Sequence, residues 1–506
     1  MATLPDVDAA HTFGVGSVGG AAADFLSWLS NLVLVPRAMA GGSEGVVRGA
    51  KSSVEVAGRK LSPPGRVVFA SGDLTVNTVL AALSLVYATY FLTQIAGLRP
   101  VLAGLVPFVG RIVDAVSDPL IGRLSDRTTL RGGRRRPYFL IGAIPFGVTF
   151  ALLWLDPGFT SQTWLFAYYA VVYCLLSVSA TVVSVPYLAL IPEMATDYDD
   201  RTSLNTYRTI GAILGVFGAI LLRPVARALG GGSVGFAWAG ILYGVLLVVP
   251  WFLIYRVTFE RKEFAPRAST TSMVTAFRLA LQRRSFLQLM GFYLTGRVAM
   301  DLVGSLLILY FTYYLGRGDD FESAMALFLL ASIVTLPIWL RFSLRRDKAT
   351  IFQIGCVIWI AAQIAMAFAP SDASDWVLYG IVCLTGIGFG VVDLMPWAML
   401  GEVVDEDELD SGERREGIYN GLFMFLRKLA GALAVLFVLS LLDVLGFEQA
   451  EVQSEHVRTA IVVLTTAAPA VFLLLSVWLA QGYPLTRKRH EQILVELEER
   501  PSRSTP

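Results

Sequence analysis

The residues most able to do chemistry are ionisable groups set inside long apolar runs. Residues 108–119 carry Arg111, Asp114 and Asp118 at i, i+3 and i+7, a spacing that puts all three on one face of a helix. An ionisable group at the centre of a bilayer costs about 2.5–3.5 kcal/mol on insertion scales. Such groups persist when they line a cavity or pair with one another. Two carboxylates beside one guanidinium leave a net negative charge, and with Ser117 and other oxygens they could bind Na⁺ or take up a proton. The competing reading is a closed ion-pair network that fixes helix packing.

A second pair of charges, Arg427-Lys428, lies in the apolar run 423–438. Lys428 could answer the acids at 114 and 118 and compete with a cation for them. The alternative is a side chain snorkelling from a helix end to the interface. Arg297 and Asp301, at i, i+4, suit an intrahelical salt bridge, so a structural role leads there. Asp393, Asp73 and Asn77 are further candidates for a cavity wall. Another constellation falls at segment ends: Asp200-Arg201 and Arg208 in one half, and Glu402, Asp405 and Arg414-Arg415 in the other. Acids of one half could pair with arginines of the other to close the inner side of a cavity. Exposed ion pairs are worth roughly 0–1 kcal/mol each, so such a gate can reopen. Ordinary solvated loop charge is the alternative.

The elements that must hold these residues are apolar segments at about 67–96, 100–122, 137–155, 164–192, 207–228, 236–256, 287–315, 322–342, 351–370, 375–400, 417–444 and 458–482. A helix rises 1.5 Å per residue, so a hydrocarbon core of about 30 Å needs roughly 20 residues. Backbone polar groups in lipid are satisfied only in helices or closed barrels, and runs this long mean helices. The expected fold class is an all-α membrane protein of twelve transmembrane helices. The composition agrees: 55% of the 506 residues are hydrophobic and 16% charged, against roughly 25% charged in soluble domains.

Charge asymmetry orients the chain. The loop after the second segment holds Arg123, Arg127, Arg131, Arg134, Arg135 and Arg136, and the stretch 257–285 holds six Lys and Arg residues. Arg345, Arg346 and Lys348 follow the eighth segment, and the tail begins Arg487-Lys488-Arg489. The opposite loops 156–163 and 370–374 have no Lys or Arg. The basic loops share one face, which predicts both termini in the cytoplasm of a plasma (inner) membrane protein. The expected plan is an N-terminal extension over 1–64, a six-helix bundle over 65–257, a linker over 258–285, a second bundle over 286–485 and a tail over 486–506. Two six-helix halves with a cavity near the midplane are the usual plan of a major facilitator transporter. By eye the halves share little identity.

Other classes have less support. A net charge of +1 offers no footprint for nucleic acid. Cys174, Cys356 and Cys383 lie in apolar runs as small core residues, and His11, His456 and His490 fall outside those runs, which excludes an imidazole site inside the membrane. No basic n-region of a secretory signal is evident, and residues 25–35 are too short to span; they suit an interfacial or disordered segment. Gly14-Val15-Gly16-Ser17-Val18-Gly19 matches a dinucleotide glycine pattern but follows no strand and opens no helix, and no P-loop sequence occurs. No nucleophile–base set or metal cluster points to an enzyme or a cofactor.

The segments 110–126 and 396–446, and the stretch from Val185-Pro186-Tyr187 to Arg208, resemble the glycoside–pentoside–hexuronide:cation symporters, the melibiose-permease-like family of the major facilitator superfamily. The resemblance covers about 65–485. It implies that Asp114 and Asp118 are cation-site acids, with Ser117 in place of an asparagine and Thr181 in place of a cation-site threonine. It implies that Lys428 is the family's helix-eleven lysine, and that Arg201, Arg208, Glu402, Asp405 and Arg414 belong to an inner gate. Ser184 stands where an aspartate serving cation and sugar is expected, and the resemblance adds Ser184 and Tyr187 to the substrate-cavity candidates. Leu188 replaces a sugar-stacking tryptophan, and Asp393 replaces another. A weakened aromatic face argues against a galactoside, and the family's lysophospholipid branch is compatible with the same residues.

The function expected from these residues is Na⁺- or H⁺-coupled symport of a small organic solute, a sugar or glycoside first, by a monomer working by alternating access. A lysophospholipid symporter or an uncoupled facilitator is the alternative, and a membrane scaffold comes last.

Overall fold

The computed structural model describes residues 60–499, apart from 129, 131, 195–197, 261–277, 279–280, 344, 371, 413–414, 449 and 451. The chain divides into Met1–Ala57 and Gly58–Pro506, and the described residues all belong to the second unit. Residues 1–59 of the N-terminal extension, with the 25–35 segment, most of the 258–285 linker, and Arg131 and Arg414 lie outside the described residues, and α1 opens at Pro63, inside the expected extension.

The described secondary structure is helical apart from one isolated bridge between Leu130 and Gly133. The first half runs α1 (Pro63–Ile95), α2 (Pro100–Arg127), α3 (Pro137–Leu153), α4 (Gln162–Met194), α5 (Tyr198–Ile220, continued by a short helix Leu222–Ala228) and α6 (Gly232–Val257). The second runs α7 (Arg284–Tyr314), α8 (Gly318–Ser343), α9 (Lys348–Ala367), α10 (Asp375–Ser411), α11 (Glu416–Val444) and α12 (Glu455–Ala480), with α13 (Arg487–Glu499) beyond it. Among the described residues, 11 helices are long and apolar enough to cross a membrane. The twelfth, α3, is shorter at 17 residues, because the basic loop and Pro137 delay its start.

Local sequence sets the ends. Pro63 and Pro64 open α1 behind Ser62, whose hydroxyl accepts from the Gly65 N–H. Proline suits a first turn, where its missing N–H would have no partner anyway. Gly412 ends α10 at φ 73°, a left-handed conformation that glycine adopts without Cβ strain.

The internal repeat that is faint in sequence is plain in the packing. Helix α1 packs on α5, α2 on α4, and α3 on both α4 and α6; likewise α7 packs on α11, α8 on α10, and α9 on both α10 and α12. The first helix of each half also ends in π-helical turns, Leu83–Ile95 and Tyr310–Tyr314. The halves meet along three seams: α2 with α11, the π-helical end of α1 with α7, and a slighter contact of α5 with α8. Gly104 makes the first seam close, since a Cβ there would stand 3.0 Å from the Leu436 Cα.

Candidate transport site

The charges inside the helices converge at mid-length. Asp114 and Asp118 lie near the middle of α2, Arg297 and Asp301 of α7, Asp393 of α10, and Arg427 and Lys428 of α11. At 1.5 Å rise per residue, Lys428 stands about 18 Å along α11 from its first residue, too deep for simple snorkelling from that end.

The α2 acids form the first cluster. Arg111 donates to Asp114 Oδ2 at 3.0 Å. Thr181 of α4 donates to Asp118 Oδ1 at 2.8 Å, and its hydroxyl lies 3.3 Å from that of Ser117. Lys428 crosses the seam between the halves, 2.9 Å from Asp118 Oδ2 and 3.9 Å from Asp114 Oδ2. The four oxygen-bearing residues named from the sequence, Asp114, Ser117, Asp118 and Thr181, are therefore neighbours. Lys428 alters the expected charge balance: with Arg111 it matches the two acids one for one. A cation entering here must displace the lysine from Asp118. That displacement has room, because the Asp118 side chain is 36% exposed and Lys428 33%, whereas Asp114 is buried.

A second cluster sits on α7, α10 and α11. Arg297 clamps Asp301 through two bonds, Nε–Oδ2 at 2.9 Å and Nη2–Oδ1 at 2.5 Å, the intrahelical pair that its spacing implies. Its Nη1 lies 3.9 Å from Asp393. Asp301 fits because Gly431 faces it: a Cβ there would be 2.5 Å from Asp301 Oδ2.

The remaining cavity candidates divide. Asp73 accepts two bonds from Arg208, at 2.7 and 3.0 Å, and one from the Tyr187 hydroxyl. Tyr187 is fully buried, stacks on Phe69 and also donates to the Phe69 carbonyl. It braces Asp73 rather than presenting a face to a solute. Asn77 donates back to the Asp73 carbonyl, and Ser184 is half-buried on α4.

Three of the expected inner-gate residues, Arg208, Glu402 and Asp405, have described partners within their own half. Arg208 is bound to Asp73 of its own half. Glu402 pairs with Lys348 at 2.6 Å, and Asp405 lies 3.0 Å from His490 on α13. These pairs stay within one half because α9 and the tail helix α13 flank the end of α10, a proximity that sequence order does not reveal. The Arg201 and Arg414 side chains lie outside what is described.

The described ion pairs that do cross between halves at loop level lie on the opposite face. Arg223 donates to the Gly318 carbonyl at 2.7 Å and to Glu322 at 3.2 Å, and packs over the Tyr90 ring. Arg227 reaches Asp319 at 2.9 Å, Arg99 reaches Asp443 at 2.9 Å, and the Tyr313 hydroxyl donates to Gln94. These contacts join the halves on the face opposite the basic loops. The signal for Arg223 was the same as for Asp114, a charge inside an apolar run, but its partner is remote in sequence.

A twelve-helix bundle of two like halves, with charged residues at mid-depth along their seam, defines a transporter of the major facilitator type. Solved structures agree on the fold. A bacterial homolog of the human lysosomal transporter Spinster superposes with a TM-score of 0.62 at 14% identity, covering 88% of this chain and 100% of that one. The chain belongs to the family of MFS/sugar transport proteins, whose pattern matches residues 68–487. It is a multi-pass membrane transporter. It is 29% identical to an uncharacterized symporter of Synechocystis sp., over 88% of this chain and 99% of that one. It is 28% identical to the inner membrane symporter YicJ of Escherichia coli, over 84% and 92%. It is 26% identical to the sodium-dependent lysophosphatidylcholine symporter 1 of Homo sapiens, over 78% of each chain.

Proposed function

We propose that the chain is a cation-coupled symporter that moves an organic solute of sugar or glycoside type into the cell, with the basic face cytoplasmic and Na⁺ or H⁺ as the coupling ion. The observation that carries this reading is the Lys428 ammonium held between Asp118 and Asp114 across the seam of the two halves. A cation bound by Asp114, Asp118, Ser117 and Thr181 replaces the lysine as the positive partner of the acids. Occupancy of the site then changes a contact between the halves, which is what coupling requires. The ion pairs on the opposite face support a state closed to the outside, and release of Arg223 from Glu322 and Arg227 from Asp319 accompanies the swing to the outward state. One charge crossing 100 mV supplies about 2.3 kcal/mol, enough for roughly a fiftyfold solute gradient without ATP.

The test is solute uptake into proteoliposomes with imposed Na⁺ or pH gradients. Asp114→Asn should abolish cation-driven accumulation while leaving exchange down a solute gradient measurable. Accumulation that still follows the cation gradient in this variant would remove Asp114 from the coupling role.

A further inference from the structure

Three buried polar atoms without a hydrogen-bond partner converge on the second-half wall of the site: Arg427 Nε, Asp393 Oδ1 and the Tyr293 hydroxyl. Buried polar groups are nearly always paired, so three orphans in one place need a physical cause. Among the described residues, Arg111, Arg297 and Lys428 each bind a carboxylate at 3.0 Å or less. Arg427, in the same layer, has no described carboxylate within salt-bridge distance; its contact is the Trp397 ring, 5.8 Å from its guanidinium carbon. A guanidinium does not lose its proton, so it stays charged there. Asp393 is its counterpart, an acid whose nearest base is 3.9 Å away. Among the described residues no ion pair joins Arg427 to Asp393.

Aromatic side chains surround these charges. Trp397 follows Asp393 by one helical turn on α10. Phe423 precedes Arg427 by one turn on α11, lies 4.6 Å from the Trp397 ring centre and stacks on Tyr293 at 4.4 Å. The Asp393 side chain as a whole is 35% exposed, although its Oδ1 is buried. A guanidinium with no described carboxylate partner, an acid whose one described ion pair is the long contact to Arg297, and an aromatic face therefore share one wall.

From this we infer that Arg427 is a substrate-binding residue and that the solute carries an oxyanion, a carboxylate or phosphate, beside a hydrogen-bond donor for Asp393. This deepens the symport reading and rests on it. The oxyanion meets the Arg427 fork, a hydroxyl or ammonium donates to Asp393, and the solute's ring or chain lies against Trp397. The two acids on α2 remain for the cation.

Binding to the purified full chain in nanodiscs decides the matter, using matched probes: methyl β-glucuronide against methyl β-glucoside, and lysophosphatidylglycerol against monoacylglycerol, each with and without Na⁺ and across a pH series. At least one anionic probe should bind about tenfold or more tighter than its neutral partner, the scale of one charge-assisted hydrogen bond. Arg427→Gln should erase that difference, and Arg427→Lys, which keeps the charge but not the fork, should retain part of it. The two probe pairs separate a sugar acid from a lipid headgroup as the source of the oxyanion. Equal binding of charged and neutral probes, or an anionic preference that survives in a folded Arg427→Gln protein, overturns the inference. An anionic preference that is present and lost in Arg427→Gln but indifferent to Na⁺ and to pH supports it while sinking the coupling reading.

Discussion

Removing the Lys428 charge should tighten cation binding. Its ammonium is 2.9 Å from Asp118 and 3.9 Å from Asp114. At an effective dielectric constant near 20, a pair of unit charges at this range interacts by on the order of 5 kcal/mol. About a third of the Lys428 and Asp118 side chains is open to solvent, and screening reduces the net value to roughly 1–2 kcal/mol. A cation entering the site must overcome that amount. In Lys428→Gln the competitor is gone, and apparent cation affinity should rise about five- to thirtyfold. The same variant should lose tight coupling, since the cation no longer displaces a residue of the other half. Isothermal titration of Na⁺, or of H⁺ through a pH series, measures the first effect, and solute accumulation in proteoliposomes the second. Unchanged or weaker cation affinity in a folded Lys428→Gln protein would refute the competition argument. Such a result would make the lysine a structural strut.

Other perturbations follow from the same contacts. Gly431→Ala would bring a Cβ to 2.5 Å from Asp301 Oδ2; overpacking of this kind costs about 1–3 kcal/mol, so thermal unfolding should begin several degrees lower. Arg223→Gln removes both bonds to the second half on the face opposite the basic loops, and a cysteine placed beside Glu322 should then label faster with an impermeant thiol reagent; unchanged labelling would deny the latch. Asp200, outside the spans, is held below the usual carboxylate range chiefly by the Lys60 hydrogen bond, with Arg66 adding to it. Its contribution is present above the unfolded-state pKa of about 3.9 and is lost as pH falls through the lower folded value. Asp200→Asn should therefore lower stability at neutral pH and flatten the acid limb of a stability–pH profile.

The sequence alone determined a great deal here, because lipid leaves few options. Long apolar runs must be helices, and a charge inside one must face other protein or a cavity. Those two constraints located the helices, and singled out Asp114, Asp118, Lys428, Arg297 and Asp301 before any contact was known. The i, i+4 pair of Arg297 and Asp301 was readable because both partners lie on one helix. Tertiary structure decided what depends on partners far apart in the chain. That Lys428 lies on Asp118 sets the charge balance of the site, across 310 positions of sequence. That Glu402 meets Lys348 and Asp405 meets His490 depends on helices packed beside the end of α10, not on sequence order. Tyr187, grouped by sequence with the cavity, is turned inward to brace Asp73. Helix periodicity says which face a side chain occupies; only the packing of one helix on another says what waits there. For Arg427, among the described residues, no carboxylate waits there.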